Sequence, residues 1–212
     1  MVVRQHRAQA ANHSQQQCPD GRHIMAGRGM MNRMSRAADA PVELRHVVIV
    51  GGTLAQWNSL GEAGWRERII ELVKAAEHAG AEWLTMRPLD RVEPPHGGTP
   101  ASVTRIGRCT GVVDPQTDGR QRLVSAINVL RRDGRPISDA NLAEVVNAPA
   151  PCDPDLAIIV GPDTDLPSTL VWELAYCELV YLDLDWIDLH GDDVERAVAE
   201  FAGRHRRFGG LD

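Results

Sequence analysis

Hydrophobic positions along the chain alternate between two periods. The run His46-Val47-Val48-Ile49-Val50 is almost continuously apolar, as in a strand with helices over both faces of its sheet. From 64 to 78, Trp65, Ile69, Leu72, Val73 and Ala76 recur at spacings that share one helical face. Gly80 ends that pattern, and Glu82-Trp83-Leu84-Thr85-Met86 predicts a second strand, which completes a βαβ unit. Periodicity then collapses. Pro88, Pro94, Pro95, Gly97, Gly98 and Pro100 mark 88–117 as a shortened loop region, holding at most one short strand at 102–106 or 110–113. Helices are predicted over 120–130, through Leu123, Ile127 and Leu130, and over 139–147, where Ser138 and Asp139 supply cap signals. Residues 155–160 predict a third buried strand, closed by Gly161-Pro162. A helix over 170–180, the short stretch Tyr181-Leu182-Asp183 and a last helix over 192–206 follow. Val194, Ala197, Val198 and Phe201 form the apolar face of that last helix. Strands alternating with helices imply the α/β class, a single domain with a mostly parallel sheet flanked by helices.

Composition changes this picture at the N-terminus. Residues 1–40 hold six arginines against two acids, and since the whole 212-residue chain carries −6, residues 41–212 carry −10. The segment 1–40 reads as a disordered basic leader ahead of a domain over 41–212. An acidic domain argues against nucleic acid as a partner, because backbone binding needs a positive surface. No apolar run reaches the roughly 18–20 residues of a membrane-spanning helix, and no secretory signal opens the chain. Cys18, Cys109, Cys152 and Cys177 are widely spaced, without a CxxC pair. They read as free thiols of a cytoplasmic protein, with Cys177 inside a helix.

Three constellations carry chemistry. His46 opens a buried strand with no acid or cysteine at metal-ligand spacing, and reads as a hydrogen-bonded structural residue rather than a ligand. Gly51-Gly52-Thr53 stands between strand and helix, where open α/β sheets place ligands. It lacks both GxGxxG and GK[ST], which leaves a plain tight turn or an anion site. At the end of the chain, Arg207 precedes Gly209 and Gly210, which leaves either a basic helix end stabilised by the helix dipole or a guanidinium beside backbone able to approach a diphosphate closely.

Six blocks in order resemble the cis-prenyltransferases, the undecaprenyl diphosphate synthases and their relatives. Residues 46–57, HVVIVGGTLAQW, resemble the family's H-[VI]-A-I-I-M-D-G-N-G-R-W, and residues 80–86, GAEWLTM, resemble G-I-K-Y-L-T-L. Residues 119–126 are similar to G-R-x-x-I-V-x-A, and Asp155 to Trp172 follows D-L-L-I-R-T-S-G-E-x-R-L-S-N-F-L-L-W. The stretch Tyr176-Cys177-Glu178-Leu179 resembles Y-x-E-L, with Trp186 at the place of the family's W-P, and 204–210 resemble R-x-R-R-F-G-G.

The resemblance implies a shortened cis-prenyltransferase fold whose own diphosphate chemistry is dismantled. Gly52 stands where the family has a metal carboxylate, Gln56 where it has an arginine, and Gly61 where it has a histidine. Ile159 and Asp165 replace the two arginines expected to hold isopentenyl diphosphate, and Pro167 replaces the serine. A leaving diphosphate gains charge, and losing one such stabilising donor costs about 3–4 kcal/mol of barrier. Retained Glu178 implies an Mg²⁺ contact in an assembled complex, and Arg207, Gly209 and Gly210 imply a tail lent to a partner's site. Together with Asp155–Pro162, these features resemble the non-catalytic subunit of the Nogo-B receptor type. The expected function is that of an accessory subunit of a complex making polyprenyl diphosphates from isopentenyl and allylic diphosphates. It would pair with a catalytic cis-prenyltransferase subunit through the helix over 170–180 and the strip around Trp186, near a membrane surface through its partner or product. The alternatives are a divergent prenyltransferase, with Glu178 and Asp163 on Mg²⁺ and Arg87 or Arg120 on phosphate, or a degenerate fold used as a scaffold.

Overall fold

The structure, a computed structural model, describes residues 44–89, 102–162, 166–175 and 177–208, with 205–208 described by backbone alone. The predicted leader at 1–40 lies outside the described residues.

Strand β1 (His46–Gly51) leads through a one-turn helix α1 (Leu54–Ser59) into α2 (Gly61–His78), and β2 (Trp83–Arg87) returns beside β1. Next come β3 (Ser102–Ile106), β4 (Cys109–Val113), α3 (Gly119–Arg132) and α4 (Asp139–Asn147). Strand β5 (Leu156–Val160), two 3₁₀ turns, β6 (Glu178–Leu182), a third 3₁₀ turn and α5 (Gly191–Phe208) complete the order. The six-stranded sheet has the order β3-β4-β2-β1-β5-β6. All neighbouring pairs are parallel except β3–β4. The predicted α/β architecture with a mostly parallel sheet is the observed one.

Because side chains alternate along β1, Val47 and Ile49 face one layer while Val48 and Val50 face the other. The first layer is the larger core, where Leu72, Val73 and Ala76 of α2 meet Val194, Ala197 and Phe201 of α5. The second is small: Val48, Val50, Ala157, Ile159 and Leu170. Helix α3 packs on α4 and on the turn that carries Leu170.

Three sequence expectations need correction. The region 88–117 is more than a loop, because both short apolar stretches pair as an antiparallel hairpin, β3 with β4. The helix expected over 170–180 does not form. Ser168–Leu170 and Glu173–Ala175 are isolated 3₁₀ turns, and residues 178–182 pair in parallel with β5. The edge of the sheet offered those backbone groups a ladder, and tertiary pairing overrode helical spacing. Cys177 therefore precedes a strand instead of sitting in a helix. Finally, the buried face of α3 runs through Arg122, Ala126 and Leu130, turned away from the Leu123/Ile127 stripe.

Candidate functional site

Open parallel sheets bind ligands outside the carboxyl ends of their strands. Here that edge presents two very different surroundings.

After β1 the backbone turns through Gly52, whose φ of +70° lies in the region that favours glycine. Space makes the same demand. A Cβ at Gly52 would lie 2.5 Å from Cγ of Trp186, and one at Gly51 would lie 2.9 Å from Cε3 of the same indole. Trp186 opens the 3₁₀ turn Trp186–Asp188, is 2% exposed, and stacks on Trp57 at 5.7 Å between ring centroids. Trp65 meets Trp57 edge-on at 4.7 Å. Arg68 holds the turn from outside: its guanidinium donates to the carbonyls of Ile187 and Leu189 and lies 5.8 Å from the Trp186 ring centroid. Trp186 itself, in the strip expected at a subunit seam, is thus core of its own domain, whereas Ile187 beside it is exposed.

The next residues close the turn from within. Thr53 Oγ1 accepts from the Gln56 amide at 3.0 Å, and Gln56 Oε1 accepts from the Thr53 amide at 2.8 Å, a reciprocal helix cap. Gln56 Nε2 donates onward to Asp185 at 3.0 Å. Two amide donors that such a turn would offer an anion are already in use. Of the two sequence readings, the geometry favours the plain turn. Ile159 is 1% exposed within the smaller core. Asp163, Asp165, Gly209 and Gly210 lie outside the described residues, as does the side chain of Arg207, which is in the last turn of α5.

Glu178, the expected Mg²⁺ contact, begins β6 with its carboxylate 4.0 Å from the Arg204 guanidinium. Arg204 is anchored to the Leu179 carbonyl at 2.6 Å and to Glu200 at 2.5 Å. Among the described residues, no three His, Cys, Asp or Glu side chains cluster as a metal site. A carboxylate facing a guanidinium does not fit a divalent cation there.

At the end of β2 the surroundings reverse. Arg87, 3% exposed, donates to Asp114 at 3.0 Å and to Glu173 Oε1 at 2.5 Å. Arg122 enters from α3 and donates to that same Oε1 at 2.6 Å and to the Thr169 carbonyl at 2.9 Å. Its other terminal nitrogen is 3.7 Å from Asp114. Glu173 is fully buried, and among the described residues neither its Oε2 nor the Arg122 Nε has a hydrogen-bond partner. Burial by itself would raise the Glu173 carboxyl, but the charges of Arg87 and Arg122 outweigh it and hold it below the usual carboxylate range. Burial, reinforced by Arg87, pushes Arg122 down to about 10, so it stays charged at neutral pH.

This quartet escaped the sequence reading, although a signal existed: Arg122 falls four and eight residues before Ala126 and Leu130, on the buried face. The expectation that Arg87 replaces a phosphate contact is corrected in part, since its guanidinium is taken up by Glu173 and Asp114. His46, at the opposite end of β1, has the structural role read from sequence. Nδ1 donates to the Cys152 carbonyl at 3.1 Å, which leaves Nε2 to accept from the Thr85 hydroxyl at 2.9 Å. Burial pushes its pKa down to about 4. Cys109, Cys152 and Cys177 are free thiols, and burial raises Cys109 to about 11 and Cys177 to about 12, away from nucleophilic use.

Comparison with known proteins adds a partial family match. Residues 112–209 match the family model described as putative undecaprenyl diphosphate synthase. That stretch is a little under half of the chain, and over it the chain is similar to the cis-prenyltransferases. Isoprenyl transferase 2 of Bradyrhizobium diazoefficiens is 41% identical over 91 residues, which are 43% of this chain and 36% of that protein. An isoprenyl transferase of Neisseria meningitidis serogroup A is 37% identical over 92 residues, 43% of this chain and 37% of the relative. The match therefore spans little more than a third of the length of these curated relatives. In fold, the chain is similar to a probable undecaprenyl diphosphate synthase from Campylobacter jejuni, with a TM-score of 0.54 and 15% identity. That similarity covers 76% of this chain and 97% of the other. The motif blocks at 46–57 and 80–86 lie outside the family-model match, and the blocks from 119 onward fall almost wholly within it. Among the described residues, no helix is long and apolar enough to cross a membrane.

Proposed function

We propose that this cis-prenyltransferase-like chain is a non-catalytic accessory subunit of a complex that makes polyprenyl diphosphates. The observation that carries this reading is the turn at Gly52. Where the resemblance implies a metal carboxylate, the Trp186 indole leaves no room for a side chain. Gln56 is consumed as a helix cap, and Ile159 is sealed in core. A barrier governed by charge on a departing diphosphate gains nothing from such groups. On this reading Arg207 supplies charge to diphosphates bound by a catalytic partner, which also supplies the Mg²⁺ site, and Gly209 and Gly210 let the tail approach. The docking surface moves from the expected helix to the segment 166–175, where Leu166, Val171 and Leu174 are exposed.

The test is co-purification with a full-length homologue from the same cell, followed by an isoprenoid condensation assay. We expect a stable complex, no product from the isolated chain, and a slower complex when it carries Arg207→Ala. No complex, or an unchanged rate with R207A, rejects the proposal.

One observation favours a second reading, that of an enzyme active alone: the curated relatives are themselves named as transferases. Product formation by the isolated chain at a rate matching the complex decides for it.

A further inference from the structure

The feature that neither fold nor family reading absorbs is the buried quartet at the carboxyl ends of β2 and β4. Four charges are placed where open α/β sheets bind ligands. The two guanidiniums converge on one carboxylate oxygen, as they would on an oxygen of a tetrahedral oxyanion. Satisfaction is incomplete on both sides, since Oε2 of Glu173 and Nε of Arg122 lack partners among the described residues. Buried polar groups seldom go unpaired in a network built only for stability. The carboxylate is carried by a three-residue 3₁₀ turn, whereas both arginines sit on a strand and a long helix. A cleft of about 390 Å³ opens beside Arg122 and Asp114, which line it with Gln116 and the apolar Val103, Val112 and Val146, while Arg87 and Glu173 are not on its wall. Arg122 lines it although its side chain is only 8% exposed.

We propose that Arg87 and Arg122 form an oxyanion receptor for a phosphate-type group, and that Glu173 occupies it in cis as an internal stand-in for the ligand. An incoming phosphate takes the place of the Glu173 carboxylate, pairs with the same two guanidiniums, and engages the Nε–H that Glu173 leaves unused. Asp114 stays to balance one of the two positive charges. Displacing the turn costs affinity in the resting chain, so the site fills only with a ligand that outcompetes a neighbouring carboxylate. The inference goes beyond the accessory-subunit reading and does not depend on it, because no partner and no transfer chemistry is involved.

The experiment uses the full chain and its Glu173→Gln variant. Calorimetric and thermal-shift titrations use inorganic phosphate and, separately, inorganic pyrophosphate, each against sodium chloride at matched ionic strength. E173Q is expected to melt lower than wild type in chloride and to recover on saturation with either oxyanion. Wild type is expected to bind about tenfold more weakly or worse. Adding Arg122→Gln to E173Q should abolish the response. A folded E173Q that responds to neither oxyanion beyond the chloride control overturns the proposal. If E173Q does not fold, wild type carrying ¹⁵N-arginine gives the answer. Pyrophosphate must then shift the Arg122 Nε resonance, assigned by its absence in Arg122→Lys, and an unmoved resonance overturns the site.

Discussion

The turn after β1 and the end of β2 are adjacent on one edge of one sheet, yet they solve burial in opposite ways. At the first, glycines and three indoles fill the space, and the described polar contacts serve the backbone or a helix cap apart from the one between Gln56 and Asp185. At the second, two arginines and two acids are buried together. Register explains how both fit. Val50 of β1 lies opposite Arg87 of β2, and Gly51 opposite Val160 of β5, so a step of one strand and one residue separates them. The lesson concerns where this chain places charge. Charge is absent at Gly52, Gln56 and Ile159, where the resemblance implies it, and concentrated in a quartet of which the sequence reading named only Arg87.

The comparison is broken most severely at Glu173. Replacing it with Leu leaves two buried guanidiniums without their shared acceptor, and urea unfolding in a phosphate-free buffer should show a loss of about 3–5 kcal/mol. A loss under 1 kcal/mol would mean the quartet is not the buried unit described above.

Acid titration separates the quartet from the other buried polar site. His46 has a native pKa of about 4 against 6.5 for the free side chain, so the unfolded chain takes up its proton first. Stability from this residue should fall as pH drops from about 6.5 to 4, by about 3 kcal/mol in all, and then level off. Glu173 acts later. Its carboxyl is depressed when folded, so its contribution holds above the ordinary carboxylate pKa and is lost only below it. Denaturant midpoints across pH should therefore decline in two steps, and His46→Gln should remove the upper one alone.

The smallest effect belongs to the apolar turn. Gly52→Asp places a side chain against the Trp186 indole on a backbone at positive φ, with an expected cost of about 2 kcal/mol. Trp186→Ala in the same chain should recover part of that penalty, so the two changes will be non-additive. Full additivity would show that the indole is not what closes the position.

Local pattern made most of the fold legible. The burial of Val47–Val50, the α2 face at Trp65, Ile69, Leu72, Val73 and Ala76, and the α5 face at Val194, Ala197 and Phe201 follow from spacing alone. Edges were less legible. Residues 178–182 have apolar spacing that suits a helix until β5 offers a ladder, and β3 and β4 are strands only because they pair. The candidate site was legible in its absences and obscure in what replaced them. Gly52 and Gln56 stand out in the chain, but nothing nearby in sequence announces that Trp186, more than a hundred residues on, fills the space.

The sequence by itself determined the alternation of strand and helix, the buried faces, and the loss of charged side chains after the first strand, because each depends on neighbours within a few residues. Only the tertiary structure decided that Arg87, Asp114, Arg122 and Glu173 meet, since they come from four separate segments. Charge is tolerated in a protein interior when partners arrive together, and that arrival is a property of the folded sheet rather than of any stretch of chain.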